Sequence, residues 1–116
     1  MSEDLVKLDA LRDMADGDLE YECEIIEDII EEGDIVFLEI RELHKKENAV
    51  QLGELVHKFK GCLSYVSSDY VVNELHRIEN MSRKDKILPK IEEINALESM
   101  YTSIKEKLQE YVKTIS

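Results

Sequence analysis

Tryptophan is absent, proline occurs once and cysteine twice in 116 residues. Cys23 and Cys62 stand apart, with no CxxC and no metal-ligand spacing, so neither a disulfide framework nor a structural metal holds this chain together. They read as buried or half-buried thiols of a reducing compartment. Positive charge is also short: 15 Lys and Arg face 27 Asp and Glu, a formal net charge of -12. That balance excludes a nucleic acid or an anionic membrane surface as partner, since both need a basic footprint, and leaves a protein. No apolar run approaches the roughly 18 residues of a membrane span, and "MSEDLVKL" begins acidic without a signal-length apolar stretch. A cytoplasmic protein is expected. What remains is 43% hydrophobic and 36% charged, a composition that suits one all-helical domain over residues 1–116, long enough to bury a core unaided.

Apolar spacing places the elements. Leu5, Leu8, Leu11 and Met14 predict a short helix over 3–14, ended by "ADGD". Asp18 then caps a long helix, 18–46, with Leu19, Cys23, Ile26, Ile29, Ile30, Val36, Phe37, Ile40 and Leu43 on its stripe. Gly33 interrupts it at about 1 kcal/mol relative to alanine, but the stripe keeps its phase across the glycine. Asn48 with Gln51 predicts a capping box for the third helix, whose stripe is Leu52, Leu55, Val56, Phe59, Cys62, Leu63 and Val66. "SSD" (67–69) breaks the chain and caps a fourth helix with Val71, Leu75, Ile78 and Met81 inward. "MSRKDK" is the last connection. The final helix takes Pro89 in its first turn and buries Ile87, Ile91, Ile94, Leu97, Tyr101, Ile104, Leu108 and Val112. Four substantial helices with short connections predict an antiparallel up-and-down four-helix bundle with the short first helix against one end.

The bundle does not account for the other face of helix three, which carries Gly53, His57, Lys60, Gly61 and Ser64. Each glycine costs helix propensity, and a merely solvated face would more cheaply carry Glu, Lys or Gln. Positions i-4 and i+4 flank a helical side chain, so Gly53 and Gly61 are read as clearance around His57 for a bulky partner. Lys60, at i+3, sits beside it. An imidazole with an ordinary pKa near 6.5 is substantially neutral and nucleophilic at neutral pH, and a neighbouring ammonium favours an arriving anion. Phosphoryl transfer asks little more of an acceptor, because positioning and charge neutralisation do most of the work. Lys45, Lys46, Lys58 and Lys60 add a basic island to an acidic protein. No Asp, Glu, Cys or His lies at i+3 or i+4 from His57 to form a metal-ligand pair, and no site metal is expected.

"VHKFKG", with the long amphipathic helix before it and "NELHRIEN" after it, resembles the histidine-containing phosphotransfer (HPt) domain of bacterial phosphorelays, from about Leu8 to Val112. By that likeness His57 is phosphorylated on Nε2, Lys60 contacts the phosphoryl group and Gly61 gives clearance to a receiver domain. The run "CLSYVSSD" departs from the family's small residues after the glycine and its Gly-Ala turn. This bears on the docking surface, for which Lys58, Ser64 and Tyr65 are the candidates.

The resemblance implies a phosphohistidine carrier that passes a phosphoryl group between receiver-domain aspartates, those of a hybrid sensor kinase and a response regulator. Such a carrier is a relay substrate rather than a free-standing catalyst. It needs no cofactor, with magnesium supplied by the receiver, and no glycine-rich loop for ATP is present. A monomer is expected, and Met1 with the compact ends favours a free-standing protein. The alternatives are the phosphoacceptor domain of a chemotaxis-type kinase and a non-phosphorylated helical adaptor. Elsewhere, His44 is read as complementing the dipole of helix two and His76 as a boundary residue without a partner. The runs "EYECEIIEDIIEEGD" and "KIEEINALE" are read as solvated faces, and Tyr101 and Tyr111 as packing residues.

Overall fold

A computed structural model describes residues 4–116, in five α-helices with no named strand among them. The first helix is shorter than its apolar spacing predicts: α1 is Asp9–Ala15. Leu5 and Leu8 precede it in a segment tied to the far turn, where the Lys7 amide donates to the Val66 carbonyl and the Ser68 amide to that of Leu5, both at 3.0 Å. Glu3, where the expected helix began, lies outside the described residues. Leu11 is the fully buried anchor of α1 at 0% exposure, whereas Met14 is exposed. Asp16 (φ 49°) and Gly17 (φ 87°) then reverse the chain in left-handed conformations.

Helix α2, Leu19–Lys45, is continuous through Gly33 and capped by Asp18, whose carboxylate accepts from the Tyr21 amide at 3.1 Å. Leu19 is exposed rather than on the core stripe. Gly33 is required by packing: a Cβ there would lie 2.4 Å from the Tyr101 ring. The Tyr101 hydroxyl donates to the Ile30 carbonyl (2.7 Å) and to Asp34 (2.9 Å). Its ring stacks on Phe37 at 5.3 Å and meets Phe59 edge-on at 5.7 Å, joining three helices in one core.

Helix α3, Ala49–Leu63, starts at Asn48, which accepts from the Gln51 amide at 3.2 Å. The reciprocal half of the expected capping box does not form, because the Asn48 amide donates to the Leu43 carbonyl instead. Helix α4, Asp69–Glu79, does not give way to a loop at "MSRKDK" but runs on into a π-helical turn, Asn80–Lys84. Met81 is half-buried against the core.

Helix α5, Ile91–Ile115, begins two residues after Pro89, so proline precedes the first turn instead of occupying it. Glu93 accepts from the Lys90 amide at that end (3.1 Å). Ile87 and Ile91 are exposed, whereas Ile94, Leu97, Tyr101, Ile104 and Leu108 are buried as their spacing predicts. The result is an all-α, antiparallel four-helix bundle of α2 to α5 with α1 against α2. The long axis of 42 Å is close to the roughly 40 Å that a helix of α2's length spans. No helix among the described residues is long and apolar enough to cross a membrane.

Candidate functional site

Val56 and Phe59 face the core at 0% and 1% exposure, which turns His57, between them in sequence, outward on α3. Its side chain is 54% exposed and meets a carboxylate from another helix: Nδ1 lies 3.0 Å from Oε2 of Glu79. Glu79 follows Leu75 by four residues on the buried stripe of α4, and its side chain is only 7% exposed. An ionised carboxylate can only accept, so Nδ1 carries the proton and donates it to Glu79. The lone pair is then on Nε2. Burial alone would push the Glu79 carboxyl up; the close Lys60 ammonium and the His57 hydrogen bond outweigh it and hold the pKa below the usual carboxylate range. Glu79 is therefore ionised at neutral pH.

Lys60 Nζ lies 2.7 Å from Glu79 Oε1, an ion pair in which the ammonium sits off the ideal direction for a hydrogen bond. The same Nζ donates to His76 Nδ1 at 3.1 Å, so His76 has a partner after all. With Nδ1 accepting, the His76 proton belongs on Nε2. The Asn80 side-chain amide lies 3.1 Å from that second ring nitrogen. Arg83 completes the group, its Nη1 3.5 Å from Glu79 Oε2. One buried carboxylate thus faces three potential cations, whose side chains are all partly exposed.

Most of the chain, residues 24–107, matches the family model for the Hpt domain. The chain belongs to the Hpt domain family. Hpt domains carry out histidine phosphotransfer in phosphorelays and interact with receiver domains. The match spans α3, α4 and the π-helical turn, hence His57, Lys60, His76, Glu79 and Arg83. Nothing among curated proteins and nothing among solved structures matches the chain.

The two glycines of the Hpt helix are unlike. Gly61 has nothing within 4 Å of an added Cβ and is open. Gly53 is buried, and its Cβ would lie 2.5 Å from the Arg83 amide nitrogen. Clearance for a partner is therefore not available at Gly53; that space is filled by the π-helical turn, which the glycine admits against α3. The basic island is also largely compensated. Lys58 lies 4.0 Å from Glu32 and Lys46 3.8 Å from Glu42, while Lys60 turns inward to Glu79. Ser64 donates its hydroxyl to the Gly61 carbonyl at 2.8 Å, and Tyr65 is exposed. His44 reaches the Pro89 carbonyl (3.0 Å) from the last turn of α2.

Sequence reading passed over Glu79 and Arg83 and took His76 for a boundary residue without a partner. The available signal was a Glu on the inward stripe of α4, four residues after Leu75, where a purely structural helix would place an apolar side chain. Glu22 breaks the reading of solvated acidic faces in the same way: it is buried and accepts from the Tyr111 hydroxyl at 2.5 Å. No group of three or more His, Cys, Asp or Glu suited to a metal occurs among the described residues.

Proposed function

We propose that this Hpt domain is a phosphohistidine carrier that accepts a phosphoryl group from a receiver aspartate on His57 Nε2 and delivers it to a second receiver aspartate. The observation that carries this reading is the Nδ1–Glu79 hydrogen bond, which leaves the lone pair on Nε2 of a half-exposed side chain. In the transfer, Nε2 attacks phosphorus, the bond from phosphorus to the aspartyl oxygen breaks, and the carboxylate leaves with that electron pair. Nδ1 keeps its proton throughout, and the positive charge gained by the ring is balanced by Glu79. The reverse displacement by another aspartate regenerates the free imidazole, so direction follows the relative stabilities of the partners' acyl phosphates.

Lys60 is the phosphoryl-stabilising residue in this scheme. Its ammonium is held on Glu79, the same carboxylate that binds His57, and its side chain is 20% exposed, so a phosphoryl group on Nε2 competes with Glu79 for it. Gly61 supplies clearance for the incoming receiver, and Lys58, Ser64 and Tyr65 offer docking contacts on the same helix and its end. The domain works as a monomer in the cytoplasm, and any magnesium belongs to the receiver.

A second reading, an acceptor for a chemotaxis-type kinase using ATP, is favoured by the same carboxylate. An imidazole whose ring and tautomer are already set by the Glu79 hydrogen bond brings its own positioning to a donor that supplies only the nucleotide. The test is transfer from a receiver labelled on its aspartate, with magnesium, to this protein and to its His57→Gln variant. Acid-labile, alkali-stable label absent from the variant is the expected result. Labelling only by a kinase with ATP would replace the first reading by the second, and no labelling by either would leave an adaptor.

A further inference from the structure

Helices α2 and α5 leave a groove between them that phosphotransfer does not use. Its two lobes, of about 680 and 540 Å3, are both lined by Asp34 and Gln109 and so meet there. At that junction Asp34 accepts from the Tyr101 hydroxyl (2.9 Å) and from Lys105 (2.9 Å), a polar bridge between two apolar lobes. Ile30 and Val112 line the first lobe and are half-buried. Leu38 lines the second and is 74% exposed, more than any other large apolar residue described. Ile30 and Leu38 are eight residues apart on one face of α2, about 12 Å along the axis.

A lone exposed leucine is ordinary. Here it continues an apolar stripe whose rim is acidic. Glu27, Glu31 and Glu106 line the lobes and make no ion pair among the described residues. Asp34 is compensated by Lys105, which leaves Lys113 as the rim's other cation. The walls are helices, whose backbone groups are internally bonded, so no edge is offered for an added strand. An occupant must bring its own satisfied backbone, apolar side chains one to two turns apart, and positive charge. A second copy of this chain, at net charge -12, would be repelled.

We propose that the α2/α5 groove docks a basic amphipathic helix of a partner protein. Its apolar face enters the two lobes on either side of the Asp34 bridge, and its Lys or Arg side chains pair with Glu27, Glu31 and Glu106. The groove belongs to α2 and α5, whereas His57, Lys60 and Glu79 belong to α3 and α4, so both faces can be engaged together. A helix held there tethers its own protein and raises the local concentration of whatever domain meets the other face. The proposal rests on the groove alone and stands whether or not His57 carries phosphate.

The test uses a fluorescent synthetic Lys/Leu amphipathic helix, a scrambled peptide of the same composition without an apolar face, and the full-length protein. Expected are binding of the amphipathic peptide, amide shifts confined to α2 and α5 in two-dimensional NMR, and a loss of about tenfold in affinity for the scrambled peptide. Leu38→Lys, at an exposed position that leaves the fold intact by circular dichroism, should weaken binding by a similar factor, as should Glu31→Lys. Equal binding of both peptides, shifts centred on α3 and α4, or no binding at all would each overturn the proposal. Sedimentation showing a dimer that Leu38→Lys dissolves would overturn it too, in favour of a second copy.

Discussion

Gly33 and Gly53 face opposite sides of the bundle yet serve one purpose, and Gly61, which looks like the twin of Gly53 in sequence, serves another. At Gly33 the space of a side chain is taken by the Tyr101 ring, and at Gly53 by the backbone of Arg83. At Gly61 it is taken by nothing. On the α2/α5 side the close approach builds an aromatic core. On the α3/α4 side it brings the π-helical turn, and with it Arg83, to the carboxylate that holds His57. A glycine's helix penalty thus reveals that space is needed, while only the neighbouring element decides what fills it.

The sharpest break of this contrast is at the carboxylate that the Gly53 side assembles. Glu79→Gln keeps the shape but removes the charge that fixes the His57 tautomer. A hydrogen bond to a charged group contributes about 1.5–3 kcal/mol. Transfer to His57 should slow by roughly one to two decades, read by quenched-flow labelling at unchanged helicity. Unaltered rates would mean that Glu79 is structural.

Gly53→Ala should come next. Overpacking against backbone costs about 1–3 kcal/mol, offset by about 1 kcal/mol of helix propensity, so urea midpoints should fall and transfer should weaken with the displaced turn. Gly61→Ala should do the reverse for stability, gaining about 1 kcal/mol, while slowing transfer from a receiver if the open space is clearance. Equal behaviour of the two variants would erase the distinction between them.

The smallest effect is in acid. Glu79 has a folded-state pKa below its unfolded value, so at acid pH the unfolded chain binds more protons and stability rises with pH through that window. Its contribution is present above the ordinary carboxylate range and lost as pH falls through the depressed value. Glu79→Gln should flatten the acid limb of a stability curve measured by urea unfolding, leaving the neutral limb's slope unchanged.

How much of this was legible in the sequence depends on the reach of each signal. Stripes such as Val36–Phe37–Ile40 and Ile94–Leu97–Tyr101 repeat within one helix, and they located the helices and the core correctly. The start of α1 was misplaced because Leu5 and Leu8 share a helical spacing with Leu11 by coincidence, while the Leu5 carbonyl and the Lys7 amide are bound by Ser68 and Val66, far along the chain. His57 was visible through its own neighbours at four-residue spacing. Glu79, 22 residues away, was not, because nothing local tells a carboxylate on an inward stripe which side chain it meets. Arg83 needed still more, since its position depends on a π-helical turn that Gly53 makes possible.

In the proposed transfer Glu79 holds the proton on Nδ1 and leaves Nε2 as the nucleophile of His57. The most direct measurement is the imidazole nitrogen spectrum of protein carrying 15N-labelled histidine, before and after phosphorylation. A protonated Nδ1 and bare Nε2 at His57, followed by phosphorus coupling to Nε2, is the predicted result. A protonated Nε2 in the free protein, or phosphorus on Nδ1, would contradict it.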